Sequence, residues 1–442
     1  MPQLYSGVQI KRSGHQNIFN FDDLTLKKAF CKREKYVTLL FMRTLSASKG
    51  GTMDIKQDNQ IIVSNIDVRT ANRIRVLQLL FHEENLTQMD IKNRLHLSGP
   101  TVTQAVQLFM GAGLVREGKE MPSSGGRKPH LIEFCYDAYH AVGVEIRKHH
   151  ADICVIDLHV RVTARKVYHI LFENNDTYWK QINELIHETI GINKDVKNIL
   201  GVGIAFPGEI SPSGKMVYRA TVLGRKNLAL DIVQKNIDFP IHIEYGANAA
   251  GFGAVWRADN LQDAVYIIVT NNGVAGSVIL NNKIYSGLSG KSGAFGHIVL
   301  DPNGKECFCG GRGCWSAYCS LYNLIGNEED KLQTFFEKLD AKDPESMKRW
   351  DEYLTHFAQA VGNIFLSYDA DIIIGGELAS YLEPRLQELK DKVNAYPVLA
   401  EETQKICVDV DSVNPMAEGA ALTFVSQFLN NELVGFRLED IQ

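Results

Sequence analysis

The sequence lacks several features that would assign it to a specialised class of protein. Its 442 residues contain no apolar run approaching the roughly 18 residues of a membrane-spanning helix, and the N-terminus shows no signal pattern. Eight cysteines are too few and too scattered for a disulfide framework. A net charge of −5 gives no general attraction to nucleic acid, so any contact with DNA must come from a local patch. These absences predict a cytoplasmic protein with no membrane partner.

Three of the eight cysteines are clustered, together with one histidine. His297, Cys307, Cys309 and Cys314 lie within 18 residues, and this is the ligand set of a structural Cys3His zinc site. Gly310, Gly311 and Gly313, between Cys309 and Cys314, allow the backbone to fold back on itself. Four protein ligands leave no position for water, so the pattern predicts one structural zinc ion per chain. The alternative is a Gly-rich loop carrying free thiols. Cys319 is not needed for this set and is expected to be free.

The first 66 residues give few signals. Residues 1–50 carry nine Lys or Arg against three acidic residues. Such a segment can be a basic arm that touches DNA phosphates, or an extension without a defined structure. We predict a basic N-terminal extension over residues 1–66.

Residues 67–135 have the pattern of a winged helix-turn-helix. A first helix is predicted from Val68 to Phe81, and Thr87 with Asp90 forms the capping box of a second. Met89, Ile91 and Leu95 are expected to face inward. Pro100 suits the first turn of a third helix, which Gly111 and the residues after it end. Strands from Leu114 to Glu117 and from Leu131 to Phe134 then predict a ribbon.

The third helix is the predicted reading helix of this domain. Val102, Ala105, Val106 and Phe109 recur at helical spacing and form its buried face. The polar side chains that remain are the candidates for contact with double-stranded DNA: Ser98, Thr101, Thr103, Gln104 and Gln107. Glutamine can pair bidentately with adenine, and threonine can meet several base edges. The alternative is an ordinary solvated helix.

From about residue 136 the chain alternates between short apolar strands and helices. Strands are predicted at Ala141–Ile146, Ile153–Leu158, Ile199–Phe206 and Ile241–Glu244, and helices at Tyr178–Gly191 and Ala247–Trp256. A second series follows, with strands at Val265–Thr270, Ser277–Leu280 and Ile372–Ile374, and a long helix at Trp350–Tyr368. Periodicity predicts two α/β lobes with a cleft, over about 136–257 and 258–425, and a final helix from Gly419 to Leu429 that packs on the first lobe.

The stretch from Gly296-His297 to Cys314, with its CxCGxxGC segment, resembles the signature of the ROK family of repressors, open reading frames and sugar kinases. The resemblance covers about residues 67–442 and extends to repressors of the N-acetylglucosamine and xylose type. It implies an α/β chain: a winged helix-turn-helix followed by a two-lobed, actin-like (ribonuclease-H-like) sugar kinase fold over residues 136–442. It also implies that Arg127, flanked by Gly126 and Lys128 at the ribbon tip, enters a minor groove of DNA.

Positions that serve catalysis in the family's kinases hold other residues here. The phosphate turn reads Glu145-Ile146-Arg147-Lys148-His149 instead of Asp-x-Gly-Gly-Thr. The Asn-Asp pair that carries the general base is Tyr245-Gly246, and glycine cannot accept a proton. Two glutamates of the family pattern are Ala294 and Ser316. No catalytic residue is therefore assigned, and the resemblance implies an inactive kinase fold.

These observations predict a DNA-binding transcriptional regulator that is not an enzyme. We expect a repressor of carbohydrate-related genes, whose kinase-like domain mediates dimerisation and response to a sugar or sugar-phosphate effector. Candidates for effector contact are Glu244, Asn248 and His297, although the first two can equally be structural. A helix-turn-helix that reads half-sites implies a homodimer, or a tetramer built from it. The alternatives are an active ROK sugar kinase with an accessory N-terminal domain and a scaffold without a DNA target.

Overall fold

The computed structural model describes most of the chain beyond residue 64. Its described residues are 65–121, 129–211, 214–258, 261–326, 331–400, 402–412 and 414–430. The chain separates into two compact units, Met1–Arg69 and Thr70–Gln442. The extension predicted for residues 1–66 lies outside the described residues except for its last two positions.

The first described elements are three helices and a small antiparallel sheet. They are α1 (Asn65–His82), β1 (Leu86–Thr87), α2 (Gln88–Leu95), α3 (Gly99–Gly111), β2 (Val115–Glu120) and β3 (His130–Phe134). In the sheet, β3 pairs with both β1 and β2. The three helices and both strands of the ribbon are present as predicted, and β1 is an additional strand.

Local capping defines where α2 and α3 begin. The Thr87 side chain accepts a hydrogen bond from the Asp90 N–H, and the Asp90 carboxylate accepts one from the Thr87 N–H, so the predicted capping box is confirmed. Ser98 caps α3 in the same way by accepting from the Thr101 N–H, with Pro100 in the first turn. These contacts satisfy N–H groups that have no partner within the helix.

The buried faces of α2 and α3 pack against α1. The predicted inward positions of α3 are confirmed, as are Ile91 and Leu95 of α2. Met89 was predicted to face inward, and this is wrong, because its side chain is 57% exposed. Residues two apart on a helix point in widely different directions. The burial of Ile91 therefore turns Met89 towards solvent.

The first lobe contains a five-stranded sheet with helices beside it. Its elements are β4 (His140–Ile146), β5 (His150–Asp157), β6 (Val162–His169), α4 (Asp176–Ile192), β7 (Ile199–Phe206), β8 (Glu209–Ile210), β9 (Met216–Ala220), β10 (Arg225–Ala229), α5 (Asp231–Asn236), β11 (Ile241–Tyr245) and α6 (Gly246–Arg257). The strand order is β11-β7-β4-β5-β6, and β8, β9 and β10 form a separate small sheet. The sequence did not predict β6 or this small sheet.

The second lobe is followed by one last helix. Its elements are β12 (Ala264–Val269), β13 (Val274–Leu280), β14 (Lys283–Ile284), α7 (Ser316–Cys319), α8 (Leu321–Ile325), α9 (Lys331–Asp340), α10 (Pro344–Tyr368), β15 (Asp371–Gly376), α11 (Ala379–Leu382), α12 (Leu386–Asn394) and β16 (Ile406–Val408), before α13 (Pro415–Leu429). The long helix α10 begins at Pro344, earlier than the predicted Trp350, because Asp343 caps it.

The two lobes repeat one strand topology. In the first, β4, β5 and β6 form an antiparallel meander, and β7 and β11 extend it in parallel on the other side of β4. In the second, β12, β13 and β14 form the meander, and β15 and β16 extend it in parallel. This repeat is the duplicated arrangement that an actin-like fold requires. None of the described helices is long and apolar enough to span a bilayer.

Helix α13 lies on the first-lobe sheet, as predicted, and glycines make this approach possible. A Cβ at Gly143 would overlap with the carbonyl oxygen of Ala417, and one at Gly203 would overlap with that of Ala420. The helix backbone therefore rests directly on two neighbouring strands, β4 and β7. The hydrophobic core beneath it runs on into the three-helix region, which includes Leu77 and Phe109.

We expect Gly203→Ala to weaken the docking of α13, because the added methyl group must displace the helix backbone. Overpacking of this kind costs about 1–3 kcal/mol of unfolding free energy. Gly191→Ala is the matched control, since nothing lies within 4 Å of a Cβ at that position of α4. Thermal or urea unfolding of the two variants checks the prediction. Equal stability of both would contradict the described contact.

Candidate functional site

The four residues of the cysteine motif come together in the structure. One ligand atom from each of His297, Cys307, Cys309 and Cys314 lies within 4.8 Å of the others. The Cys309 and Cys314 Sγ atoms are 3.8 Å apart, and the Cys307 Sγ lies 3.9 Å from the His297 Nδ1. Sulfurs bound tetrahedrally at about 2.3 Å from a zinc ion lie about 3.8 Å from each other. The cluster therefore fits a metal ion with four protein ligands.

The backbone around the cysteines is a tight hairpin. The Gly310 N–H donates to the Cys307 carbonyl, and the Cys307 N–H donates to the Gly311 carbonyl, each at 2.9 Å. Gly310 and Gly313 adopt φ values of 91° and 69°, a region that disfavours side chains. A Cβ at Gly313 would also overlap with the Asp301 carbonyl oxygen. These glycines bring Cys314 back to the other thiols.

The ionisation of the cluster reflects burial and mutual contact. Burial raises the pKa of Cys307, and it raises the pKa of Cys314 to about 12. Burial acts in the same direction on Cys309, but the Gly311 N–H and the neighbouring thiols outweigh it and lower the pKa of this residue. Partial burial lowers the pKa of His297, which favours the neutral imidazole that binds metals. Cys319 lies apart from the cluster, buried, with its Sγ 3.6 Å from the Tyr353 carbonyl oxygen.

At the junction of β11 and α6, Gly246 is in contact with helix α13. A Cβ at Gly246 would lie 2.9 Å from the Met416 Sδ, so a methionine of α13 occupies the space into which a side chain would project. The Glu244 Oε1 accepts from the Tyr245 N–H at 2.7 Å and from the Asn248 Nδ2 at 3.0 Å. The Asn248 Oδ1 is buried and has no hydrogen-bond partner among the described residues.

An ion pair joins the end of β4 to the turn between β4 and β5. The Arg147 Nε and Nη2 atoms contact the two carboxylate oxygens of Glu145 at 2.6 and 3.1 Å. The Asn414 Nδ2 also donates to the Glu145 Oε2, at 2.9 Å. Burial opposes ionisation of Arg147, but Glu145 and then Glu377 of the second lobe raise its pKa. Carboxylates of both lobes thus act on one cation.

Ser316 replaces a family glutamate and is part of the protein interior. It is 2% exposed, and its Oγ accepts a hydrogen bond from the Val274 N–H at 3.0 Å. A Cβ at Gly273 would come within 2.7 Å of that Oγ. This hydrogen bond therefore connects the start of β13 to the start of α7. Its surroundings leave no open space for a longer acidic side chain.

The candidate DNA contacts fall into three groups. Gln104 and Gln107 are exposed on α3, opposite its buried face. Two threonines have intramolecular partners: the Thr103 Oγ1 donates to the Gln88 Oε1 at 2.9 Å, and Thr101 pairs with the Ser98 hydroxyl at 2.8 Å. The ribbon-tip candidates lie outside the described residues: Gly126, Arg127 and Lys128.

Sequence reasoning missed the residues of α13 that enter the cleft. Asn414 and Met416 contact Glu145 and Gly246, which lie far earlier in the chain. Glu418 belongs to the same group, because its carboxylate accepts from the Asn414 N–H and from the Ser412 hydroxyl. No local pattern marks these residues. The run of small residues in α13 predicts that a helix packs closely there, but it does not predict which residues the first turn of the helix contacts.

Curated relatives of this chain include named repressors. It is 28% identical over 278 residues to the xylose repressor of Bacillus subtilis strain 168, a match that covers 62% of this chain and 71% of the relative. It is 24% identical over 263 residues to the DNA-binding transcriptional dual regulator NagC of Escherichia coli K12, covering 58% of this chain and 64% of the relative. The matching relatives thus include both repressor types that the cysteine motif suggested.

Solved structures agree with the described fold. A ROK family transcriptional regulator, a homologue of the E. coli MLC protein, superimposes with a TM-score of 0.68 at 17% identity and covers 84% of this chain and 100% of its own. A ROK family glucokinase from Streptomyces griseus gives a TM-score of 0.55 at 20% identity, covering 64% of this chain and 98% of its own. The sequence profile of the ROK family matches residues 141–423. With this match over more than half of its length, the chain belongs to the ROK family and has its actin-like, sugar-kinase-type fold.

Proposed function

We propose that this protein is a DNA-binding transcriptional regulator, a repressor of carbohydrate-related genes. The proposal rests on the combination of two parts in one chain. The first is a three-helix unit that exposes Gln104 and Gln107 on its third helix. The second is a ROK body in which other groups occupy the catalytic positions of the family's kinases. Relatives named as a xylose repressor and as a DNA-binding transcriptional dual regulator support this interpretation. The solved regulator also covers 84% of the chain, against 64% for the glucokinase.

The proposed domains are a winged helix-turn-helix over residues 67–135 and a kinase-like body over residues 136–442. In the first, α3 is the reading helix, and β2 and β3 form the wing. Gln104 and Gln107 are placed to meet base edges, while Ser98 and Thr101 at the helix N-terminus suit contact with a phosphate. Gly126, Arg127 and Lys128 would reach the minor groove from the wing tip. Two copies in a homodimer would read the two halves of an operator.

The body is proposed to be catalytically inactive. A kinase needs a base for the sugar hydroxyl and an open backbone cradle for phosphates. Here Met416 covers the base position, and the Arg147–Glu145 pair stands at the phosphate turn. The rival reading is an active ROK sugar kinase with an accessory N-terminal domain, and the glucokinase match favours it only at the level of the fold.

The cysteine cluster is proposed to hold one structural zinc ion. Thiolates and an imidazole at tetrahedral spacing select zinc over hard cations such as magnesium or calcium. With four protein ligands, the ion would stabilise the loop from Phe295 to Cys314 and would not activate water. The Nδ1 of His297 faces the thiols. Its Nε2 therefore lies on the opposite edge of the ring.

A sugar or sugar-phosphate effector is proposed to bind beside this histidine. Glu244 and Asn248, which are hydrogen-bonded to each other, offer a carboxylate and an amide, and His297 offers its imidazole Nε2. Hydroxyl groups can donate to the first two and accept from the third. With its effector and operator both in solution, such a protein acts in the cytoplasm.

Elemental analysis should find about one zinc per chain. Cys309→Ser should lose the metal and lower the unfolding temperature, because a structural site contributes folding energy directly. Cys407→Ser is the matched control, since Cys407 is exposed on β16 and is not part of the cluster. Full zinc occupancy and native stability in Cys309→Ser would refute the assignment.

No transfer of phosphate from ATP to glucose, N-acetylglucosamine, mannose or xylose should be detectable in the presence of magnesium. The reason is the absence of a base at Gly246 and the ion pair at the phosphate turn. A coupled assay for ADP checks this, with a commercial hexokinase as the positive control. Turnover that disappears in Asn248→Ala would establish the kinase reading instead.

Gln104→Ala should weaken binding at one or two operator positions, because a bidentate base contact discriminates by about 1–3 kcal/mol. Arg127→Ala should weaken binding broadly, reduce its salt dependence and erode a preference for A·T pairs. Gln234→Ala, an exposed glutamine on α5 of the body, is the control and should bind normally.

The measurement uses duplexes recovered by the full-length protein from a random pool, with a scrambled duplex, at two salt concentrations. Circular dichroism confirms that each variant is folded. If both Gln104→Ala and Arg127→Ala bind like the control, the recognition surface is wrongly placed. Recovery of no preferred duplex at all would favour the scaffold reading.

A further inference from the structure

Helix α6 connects the effector candidates to the three-helix region. It begins at Gly246, immediately after β11, and Asn248 lies in its first turn. Near its other end, the Trp256 ring lies 6.5 Å from the ring of Phe81, which belongs to α1. A helix of 12 residues is about 18 Å long. One rigid element therefore spans the distance from the cleft to α1.

Helix α13 also extends from the cleft to α1. At its start, Asn414 caps the helix and donates to Glu145 in the cleft, and Met416 lies against Gly246. At its end, the Asn430 Oδ1 accepts a hydrogen bond from the Gln78 Nε2 of α1 at 3.0 Å. Helices α6 and α13 thus run in the same direction, and each touches the cleft at one end and α1 at the other.

The surface between these two helices is made of small residues. A Cβ at Gly253 would lie 3.4 Å from the Gly419 Cα, and a Cβ at Gly419 would overlap with the Ala249 carbonyl oxygen. Backbones that pack this closely have no large interlocking side chains between them. Packed helices respond to a change at one end by small shear displacements, while their contact resists separation. The pair can therefore shift along its length without coming apart.

At the end of α6 that is distant from the cleft, Trp256 packs against a cluster of aromatic side chains. Phe81 stacks edge-on with Phe134 and Tyr136, at centroid distances of 5.5 and 5.6 Å. The Tyr136 hydroxyl donates to the Phe81 carbonyl at 2.7 Å. The three-helix region is therefore packed onto the body, and a displacement of Trp256 acts on α1 through direct contact.

We infer that α6 and α13 form a coupling pair that transmits the state of the cleft to the DNA-reading helices. The inference rests on the proposed function for its two end points, the effector site and α3. A ligand that replaces the hydrogen bond between Glu244 and Asn248 shifts α6. Through Met416 and the small-residue contact, it also shifts α13. Both displacements reach α1, on which α2 and α3 are packed. Because coupling between two sites is reciprocal, DNA bound at α3 must in turn alter the cleft ends of both helices.

Reciprocity allows a test that needs no known effector. Hydrogen exchange is measured in the full-length, zinc-containing protein, with and without a duplex that it recovers from a random pool. The observed amides are those of residues 246–250 and 415–419, in the first turns of the coupling pair. In the native protein, DNA should change their exchange rates on the order of fivefold, the lower end of ordinary coupling.

The decisive variant is Gln78→Ala with Trp256→Ala, which removes the contacts of both helices with α1. It should still bind the duplex, because neither residue lies on the exposed face of α3, but the exchange response in the cleft should disappear. Trp256→Phe with native Gln78 keeps an aromatic ring at the junction and should retain the response. If the double variant does not fold, Gln78→Ala alone, which leaves the ring packing intact, should show a reduced response.

The outcomes separate this inference from the proposed function. A native protein that binds DNA but shows no exchange change in residues 246–250 and 415–419 overturns the coupling and leaves the regulator intact. A response that survives in the double variant, or in Gln78→Ala alone when that substitutes for it, overturns the route through these helices. Failure to recover any preferred duplex refutes the proposed function itself, and the inference falls with it.

Discussion

The close approach of α13 to the first-lobe sheet is the constraint on which most of the structure depends. Gly143 and Gly203 remove side chains from two adjacent strands so that the helix backbone can rest on them. The same helix closes the core that continues into the three-helix region. It also places Met416 against Gly246 and brings Asn414 to Glu145. A single contact between backbones therefore positions the cleft, the core and the junction with α1.

Side chains of the protein itself occupy part of the cleft. A glycine at position 246 would by itself leave a gap, and here Met416 of α13 lies against it. The phosphate turn similarly contains a paired arginine. Protein interiors are packed to high density, so the space beside a small residue is filled by neighbouring side chains. A chain with a sugar-kinase-type fold therefore has side-chain contacts of its own at both places in the cleft.

Features that depend on neighbouring residues could be predicted from the sequence. The cysteine cluster, the Thr87 capping box and the buried stripe of α3 were of this kind, because spacing along the chain determines which side chains meet. Contacts between distant segments could not be predicted: Gln78 and Asn430 are 352 residues apart, and Glu145 and Asn414 are 269 apart. The prediction that Met89 faces inward was wrong for a local reason. A helix as short as α2 buries only a narrow stripe of side chains, and its remaining apolar side chain faces solvent.

The position of α13 also bears on how the protein is made. A ribosome delivers the chain from its N-terminus, so residues 70–134 emerge long before residues 415–429. Leu77 and Phe109 nevertheless share one hydrophobic core with Leu422 and Phe428. During synthesis, the three helices therefore expose apolar surface until nearly the whole chain has left the ribosome. A chain that stops short of α13 leaves this apolar surface uncovered.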